Sequence, residues 1–158
     1  MVNKNSSATN AASDLLVAHA NGPELRLEAV SSIAATEPVL QAVRDHLAAH
    51  AVGERGIYNA ELVVEEIFTN TVRYGFDSQD AHRIAIRIVA SPDAIALDFD
   101  DDAREFDPTQ QSAPPQPESL EKAKIGGLGL MLVRRIAQAI AYRRKNERNL
   151  LSITLASH

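Results

Sequence analysis

The sequence predicts an α+β domain: a two-layer sandwich with three helices on one face of a mixed, mostly antiparallel sheet. Three observations lead there. Residues 83–89 and 94–100 alternate apolar with polar or small residues at period two, on either side of Ser91-Pro92-Asp93. Three other segments repeat apolar residues at helical spacing. The elements run strand, helix, helix, two strands, long loop, helix, two strands, which makes five strands in all.

Length and composition narrow the function. A chain of 158 residues with 45% apolar content fits one domain with a real core. Sixteen basic against twenty-one acidic residues give a net charge of −5, and the one basic stripe is Arg134 to Arg148. Nucleic acid is therefore not expected as the main partner. Cysteine is absent, which excludes disulfides, zinc thiolates and Cys nucleophiles. No apolar run approaches a membrane span, and Leu15 to Ala18 is too short for a secretory signal, so no membrane association and a cytoplasmic location are expected.

Residues 1–22 are rich in Ala, Asn and Ser, and most of them read as a flexible tail before a single domain at 23–158. Glu24 to Val30 alternates Leu25, Leu27 and Ala29 with charged residues, a half-buried first strand. Thr36 is placed to cap a helix from Glu37 to about His50, with Val39, Val43, Leu47 and Ala51 on its apolar face. His46 and His50 are expected at the surface. Gly53 and Gly56 break the chain before a helix at Ala60 to Phe76, which ends near Gly75.

That helix carries the first candidate residues. At about 100° per residue, Glu66, Asn70 and Arg73 fall within roughly 60° of each other. Ala60, Val64, Ile67 and Thr71 form the adjacent apolar stripe. A carboxylate one turn before a carboxamide, both beside a buried face, can hold hydrated Mg²⁺ and take a proton from a nucleophile. Glu65 points about 100° away from Glu66 and is not its partner. The alternative is the polar edge of an ordinary amphipathic helix.

After the hairpin, Asp101 continues the series Ile95, Leu97, Phe99. If the strand reaches it, period two aims its carboxylate at the apolar side, where a ligand can supply a donor. If the strand has already ended, Asp100, Asp101 and Asp102 are a solvated acidic turn. The loop 109–124 holds three prolines and no apolar periodicity, and runs into Ile125-Gly126-Gly127-Leu128-Gly129. Glycines at a helix start let backbone N–H groups reach an anion, and close packing on a strand explains them equally well. Leu132, Val133, Ile136, Ala137 and Ile140 line one face of the following helix. Ala141 to Lys145 and Leu150 to Leu155 form a terminal hairpin.

Together these blocks resemble the anti-sigma serine kinases, a branch of the GHKL ATPase superfamily with the Bergerat fold. The resemblance covers roughly Leu25 to Leu155. Glu66-Ile67-Phe68-Thr69-Asn70 resembles the first box, Asp101 to Pro108 the second, and Gly126-Gly127-Leu128-Gly129-Leu130 the third. The resemblance implies ATP and Mg²⁺ as cofactors. It makes Glu66 the base, Asn70 the Mg²⁺ ligand and Asp101 the acceptor for the adenine amino group. Arg73, Ala103, Lys124, Gly126, Gly127, Leu128, Gly129 and Leu130 would line the nucleotide site, with Lys122 or Lys124 as cations of a lid at 109–124. The implied substrate is a serine or threonine on an anti-sigma antagonist protein of the STAS type, with a sigma factor as a second partner and a homodimer possible. One block departs from the pattern. Ala103 and Glu105 stand where the family has glycines, which implies weak nucleotide affinity. The rival functions are a sequestering module without turnover, and an ATP hydrolase or stand-alone histidine-kinase-type ATP domain.

Overall fold

The computed structural model describes residues 14–78, 80–110 and 128–158. In chain order the elements are β1 (Leu15–Asn21), β2 (Glu24–Val30), a 3-10 turn (Ile33–Ala35), α1 (Thr36–Ala49) and α2 (Glu54–Tyr74). They continue with β3 (Arg83–Ala90), β4 (Ala94–Asp101), α3 (Leu128–Ile136), β5 (Ala139–Lys145) and β6 (Arg148–Ala156). One six-stranded sheet has the order β1-β2-β3-β4-β6-β5, and every neighbouring pair is antiparallel. The α+β sandwich is as expected, with one more strand and no parallel pairing among the described residues.

Period two sends Leu25, Leu27, Ile84, Ile86, Ile88, Ile95, Leu97, Phe99, Ile153 and Leu155 to the helix side, each at most 5% exposed. Val39, Val43 and Leu47 of α1 and Val63, Val64 and Phe68 of α2 meet them, all fully buried. Burying each such side chain stabilises the fold by about 1.5–3 kcal/mol. The other sheet face is polar. There Arg87 donates to Glu24 at 2.7 Å and to Asp98 at 2.9 Å, tying β2, β3 and β4. Such half-exposed pairs contribute about 0–1 kcal/mol each. Among the described residues no helix is long and apolar enough to cross a membrane.

Several expectations are corrected. Residues 15–21 are not tail but the edge strand β1, joined to β2 through Gly22-Pro23. Its side chains are nearly all exposed. Backbone pairing holds it, which apolar burial cannot signal. Residues 1–13 lie outside the described residues. Thr36 does not cap α1: Ala35 stands at the cap without a side-chain bond, and the Thr36 hydroxyl is buried without a partner. The capping hydroxyl is Ser32, which accepts from the Ala35 N–H at the preceding 3-10 turn. α1 stops at Ala49, leaving Ala51 exposed at φ +56°, off the apolar face. His46 is buried, with Nε2 2.9 Å from the Pro23 carbonyl, because the β1–β2 turn folds over it. Gly56 lies inside the first turn of α2, packed on Ser157, so only Gly53 precedes the helix. α3 ends at Ile136, Leu132 is 40% exposed, and Ile140 reaches the core from β5.

Candidate functional site

The C-terminal half of α2 brings Glu66 and Asn70 to the edge of the helix's buried stripe, where both are half-buried. Burial pushes the Glu66 carboxyl above its ordinary range, the charge of Glu65 adds to this, and Arg73 opposes it. Glu65 itself is exposed, as the helical spacing requires. Arg73 is exposed and absent from the cavity wall, so it touches the site only through its charge. Gly129, in the first turn of α3, packs directly on the Glu66 carboxylate, leaving no room for a β-carbon. The Asn70 side-chain nitrogen is buried without a hydrogen-bond partner.

At the other end of the site, β4 does run to Asp101, which pairs with Ile84 on one side and Asn149 on the other. Asp101 therefore points inward and is buried, and the solvated-turn alternative is excluded. Its Oδ1 accepts from Asn149 Nδ2 at 2.8 Å and from the Ala103 N–H at 3.0 Å. Both bonds fall on one oxygen, which leaves Oδ2 for a ligand. Burial raises the Asp101 carboxyl above its ordinary value against the pull of these two donors.

A cavity of about 370 Å³ reaches from Asn70 to Asp101, and Glu66 stands outside its wall. Asn70 and Tyr74 of α2, Asp101, Ala103 and Phe106 after β4, and Leu130 of α3 contribute to its wall. A larger hollow of about 760 Å³ lies on the polar sheet face, lined by other residues apart from Phe99, Tyr142 and Leu151. The smaller cavity is the candidate site because the unpaired groups of Asn70 and Asp101 meet there. It has the apolar walls and few polar groups of a small-molecule pocket.

The departures at Ala103 and Glu105 are accommodated. Neither residue has positive φ, so neither position demands glycine. The Ala103 methyl is buried against Gly75, where an added β-carbon would lie 2.7 Å from it. Glycine at the end of α2 thus makes the space that alanine fills. Glu105 is exposed and does not line the cavity.

Lys122, Lys124, Gly126 and Gly127, and the loop 111–124, lie outside the described residues. Of the remaining third-box residues, Leu130 lines the cavity and Leu128 is 45% exposed. Sequence reasoning gave Asn149 and Arg104, which stand in the resembling terminal hairpin and second box, no role in the site. Arg104 donates to Asp77 and, through its N–H, to the Gly75 carbonyl at 2.8 Å, tying the second box to the end of α2. Asn149 shows itself only through strand register, as the residue opposite Asp101.

Among the described residues no three His, Cys or acidic groups are placed to hold a metal ion by themselves. Asn70 presents one buried, unpaired end of a carboxamide, and a half-turn of the amide exchanges its nitrogen for oxygen. That end suits a cation also held by phosphate oxygens, as Mg²⁺ usually is in such sites.

Comparison with known proteins agrees with this fold. Residues 29–155 match the family described as the histidine kinase-like ATPase domain. The serine/threonine-protein kinase BtrW of Bordetella bronchiseptica is 31% identical over 101 residues, covering 64% of this chain and 70% of that protein. The solved RsbU and RsbW domains of a Mycobacterium tuberculosis protein superpose with a TM-score of 0.57 at 14% identity, over 85% of this chain. This chain spans a third (33%) of that one. A chain from the SiaB–SiaC complex of Pseudomonas aeruginosa superposes with a TM-score of 0.53 at 18% identity, covering 90% of this chain and 91% of that one. The two structures share the fold.

Proposed function

The chain belongs to the histidine kinase-like ATPase domain family, and from that premise we propose that it is an ATP-dependent protein serine/threonine kinase. Its substrate would be a small antagonist protein of the STAS type, and a sigma factor its regulatory partner. Relatedness to a serine/threonine kinase supports this reading at the level of reaction type. The observation that carries it is the pair of unpaired polar groups sharing one cavity, Asn70 at one end and Asp101 Oδ2 at the other.

In this reading Asp101 accepts from the adenine amino group and Leu130 and Ala103 flank the ring. Asn70 holds Mg²⁺, which when bound offsets phosphate charge as the γ-phosphoryl group moves. Glu66 takes the proton of the attacking hydroxyl. Its half-buried seat serves this, because a base with a raised pKa is a stronger proton acceptor near neutrality.

The test has two steps. Calorimetry with ATP and Mg²⁺ measures binding, which should weaken sharply in Asn70→Ala. Labelled γ-phosphate is then offered to proteins that co-purify from the source organism. Transfer to a serine or threonine supports the kinase. Partner binding without transfer makes the chain a sequestering module of the same fold, and no heat with nucleotide rejects the ATP site.

A further inference from the structure

At the open end of the β3–β4 hairpin, three side chains meet around one imidazole. His82 immediately precedes β3, Asp102 immediately follows β4, and Ser78 lies in the connection from α2 to β3. The Ser78 hydroxyl is 2.9 Å from His82 Nε2, and the Asp102 carboxylate is 3.3 Å from His82 Nδ1. The histidine is held in two further ways. Phe76 stacks on its ring with centroids 4.0 Å apart and planes 12° from parallel. Its carbonyl accepts from the Ser31 N–H at 2.8 Å.

The order of these contacts fixes which atom gives a proton and which takes one. An ionised carboxylate only accepts, so Nδ1 carries the hydrogen that faces Asp102. In the neutral ring Nε2 is then a bare acceptor, and the Ser78 O–H must donate to it. A ring turned over would set carbon atoms against both partners. The three groups are thus nucleophile, base and orienting carboxylate in sequence, a geometry that activates serine on unrelated folds. Another exposed serine of the chain is bonded differently. Ser152 donates straight to the Asp98 carboxylate at 2.6 Å, and a carboxylate is a far weaker base than an imidazole.

We infer that Ser78 is an activated nucleophile, and that with His82 and Asp102 it forms a second reactive site, open to small activated esters. Ser78 Oγ attacks the ester carbonyl carbon and its proton passes to His82 Nε2. The bond from that carbon to the leaving alkoxide breaks, and the alkoxide takes the proton from Nε2. The products are an acyl-serine at position 78 and a free alcohol. Exposure sets the scale of the effect. The His82 side chain is 22% exposed and that of Asp102 45%, so water weakens the pull of the carboxylate on the ring. The three residues line neither of the cavities described above, which restricts the site to small donors and separates it from the nucleotide reading.

The test uses the whole chain and two probes. A fluorophosphonate ester loses fluoride and leaves a stable phosphonyl group on the attacked oxygen, which peptide mapping by mass spectrometry then locates. p-Nitrophenyl acetate reports acyl transfer through release of p-nitrophenolate. Phosphonyl label should reach Ser78 about a hundredfold faster than Ser152 of the same chain, the ordinary worth of a positioned base. His82→Gln should bring that ratio down toward one, and Asp102→Asn should fall between it and the parent. Release of p-nitrophenolate in excess of that from Ser78→Ala should vanish in His82→Gln. Label reaching Ser78 no faster than Ser152 in the parent would overturn the inference, and this arm needs no variant to fold. An unchanged ratio in a His82→Gln chain that melts like the parent would overturn it equally.

Discussion

Gly129 of α3 lies against the Glu66 carboxylate of α2 so closely that a β-carbon at position 129 would overlap it. The contact ties the third glycine of the 126–130 block to the Glu66 carboxylate of the first block. A β-carbon there would have to push aside the free end of the Glu66 side chain, whatever else binds nearby.

Gly129→Ala should therefore displace Glu66 while leaving the Asp101 end of the cavity intact. We expect ATP affinity within a few-fold of the parent and phosphoryl transfer lower by on the order of a hundredfold, the usual worth of a positioned base. Calorimetry and γ-phosphate transfer on one preparation decide it. Equal transfer rates would show that Glu66 has room to rearrange.

Glu66→Gln should retain nucleotide binding and lose transfer by about the same factor. In the parent, the base works only when ionised, and burial followed by the charge of Glu65 raises its pKa. The acid limb of the rate profile should thus lie at higher pH than an exposed glutamate would give. Charge reversal at the neighbour (Glu65→Lys) should move that limb down. An unmoved limb would mean that another group limits the rate.

Asp101 makes an opposite demand on stability. Its pKa in the folded chain is raised, mainly by burial, so its ionised form is less favourable folded than unfolded. The contribution of this group is best below the ordinary Asp range and is lost as pH rises through the folded value. Asp101→Asn keeps both N–H bonds to Oδ1 and removes the charge. Its Tm should exceed that of the parent at pH 7.5, with the gap closing near pH 4. Equal melting temperatures at both would show that the two donors fully offset the burial.

Gly75→Ala tests how the pocket tolerates Ala103. The added methyl would meet the Thr71 carbonyl at 2.5 Å and the Ala103 β-carbon at 2.7 Å. Overpacking of this kind costs about 1–3 kcal/mol. Ala103→Gly in the same chain should recover part of the loss by relieving the second clash. Chemical unfolding of both variants measures it, and strict additivity would mean the two residues do not share space.

The readability of the sequence followed the range of the interactions. The β3–β4 hairpin and α2 were legible because period two and period 3.6 are local, and Glu66 and Asn70 share one helix. Asp101 was ambiguous from pattern alone, since nothing in 100–102 says where the strand ends. Its ladder with β6 decides that, through residues 48 positions away. β1 was invisible for the same reason: its exposed side chains carry no burial signal, and its hydrogen bonds belong to β2. Where the Ala103 methyl packs was likewise illegible, because the space it fills is made by Gly75, on another element.

The tip of the last hairpin has a consequence for how such a site can change over time. Asn146 and Glu147 turn the chain with φ of 51° and 60°, and Lys145 pairs directly with Arg148. Two residues is the shortest hairpin connection, and its length sets the strand register. With that two-residue count kept, inserting one residue there would turn Asn149 to the open face and set Arg148 opposite Asp101. The residue that faces Asp101 is in this sense counted out by a turn remote from the cavity. Substitutions at the tip keep that count, whereas a single-codon insertion would part Asn149 from Asp101 while both remained in the chain.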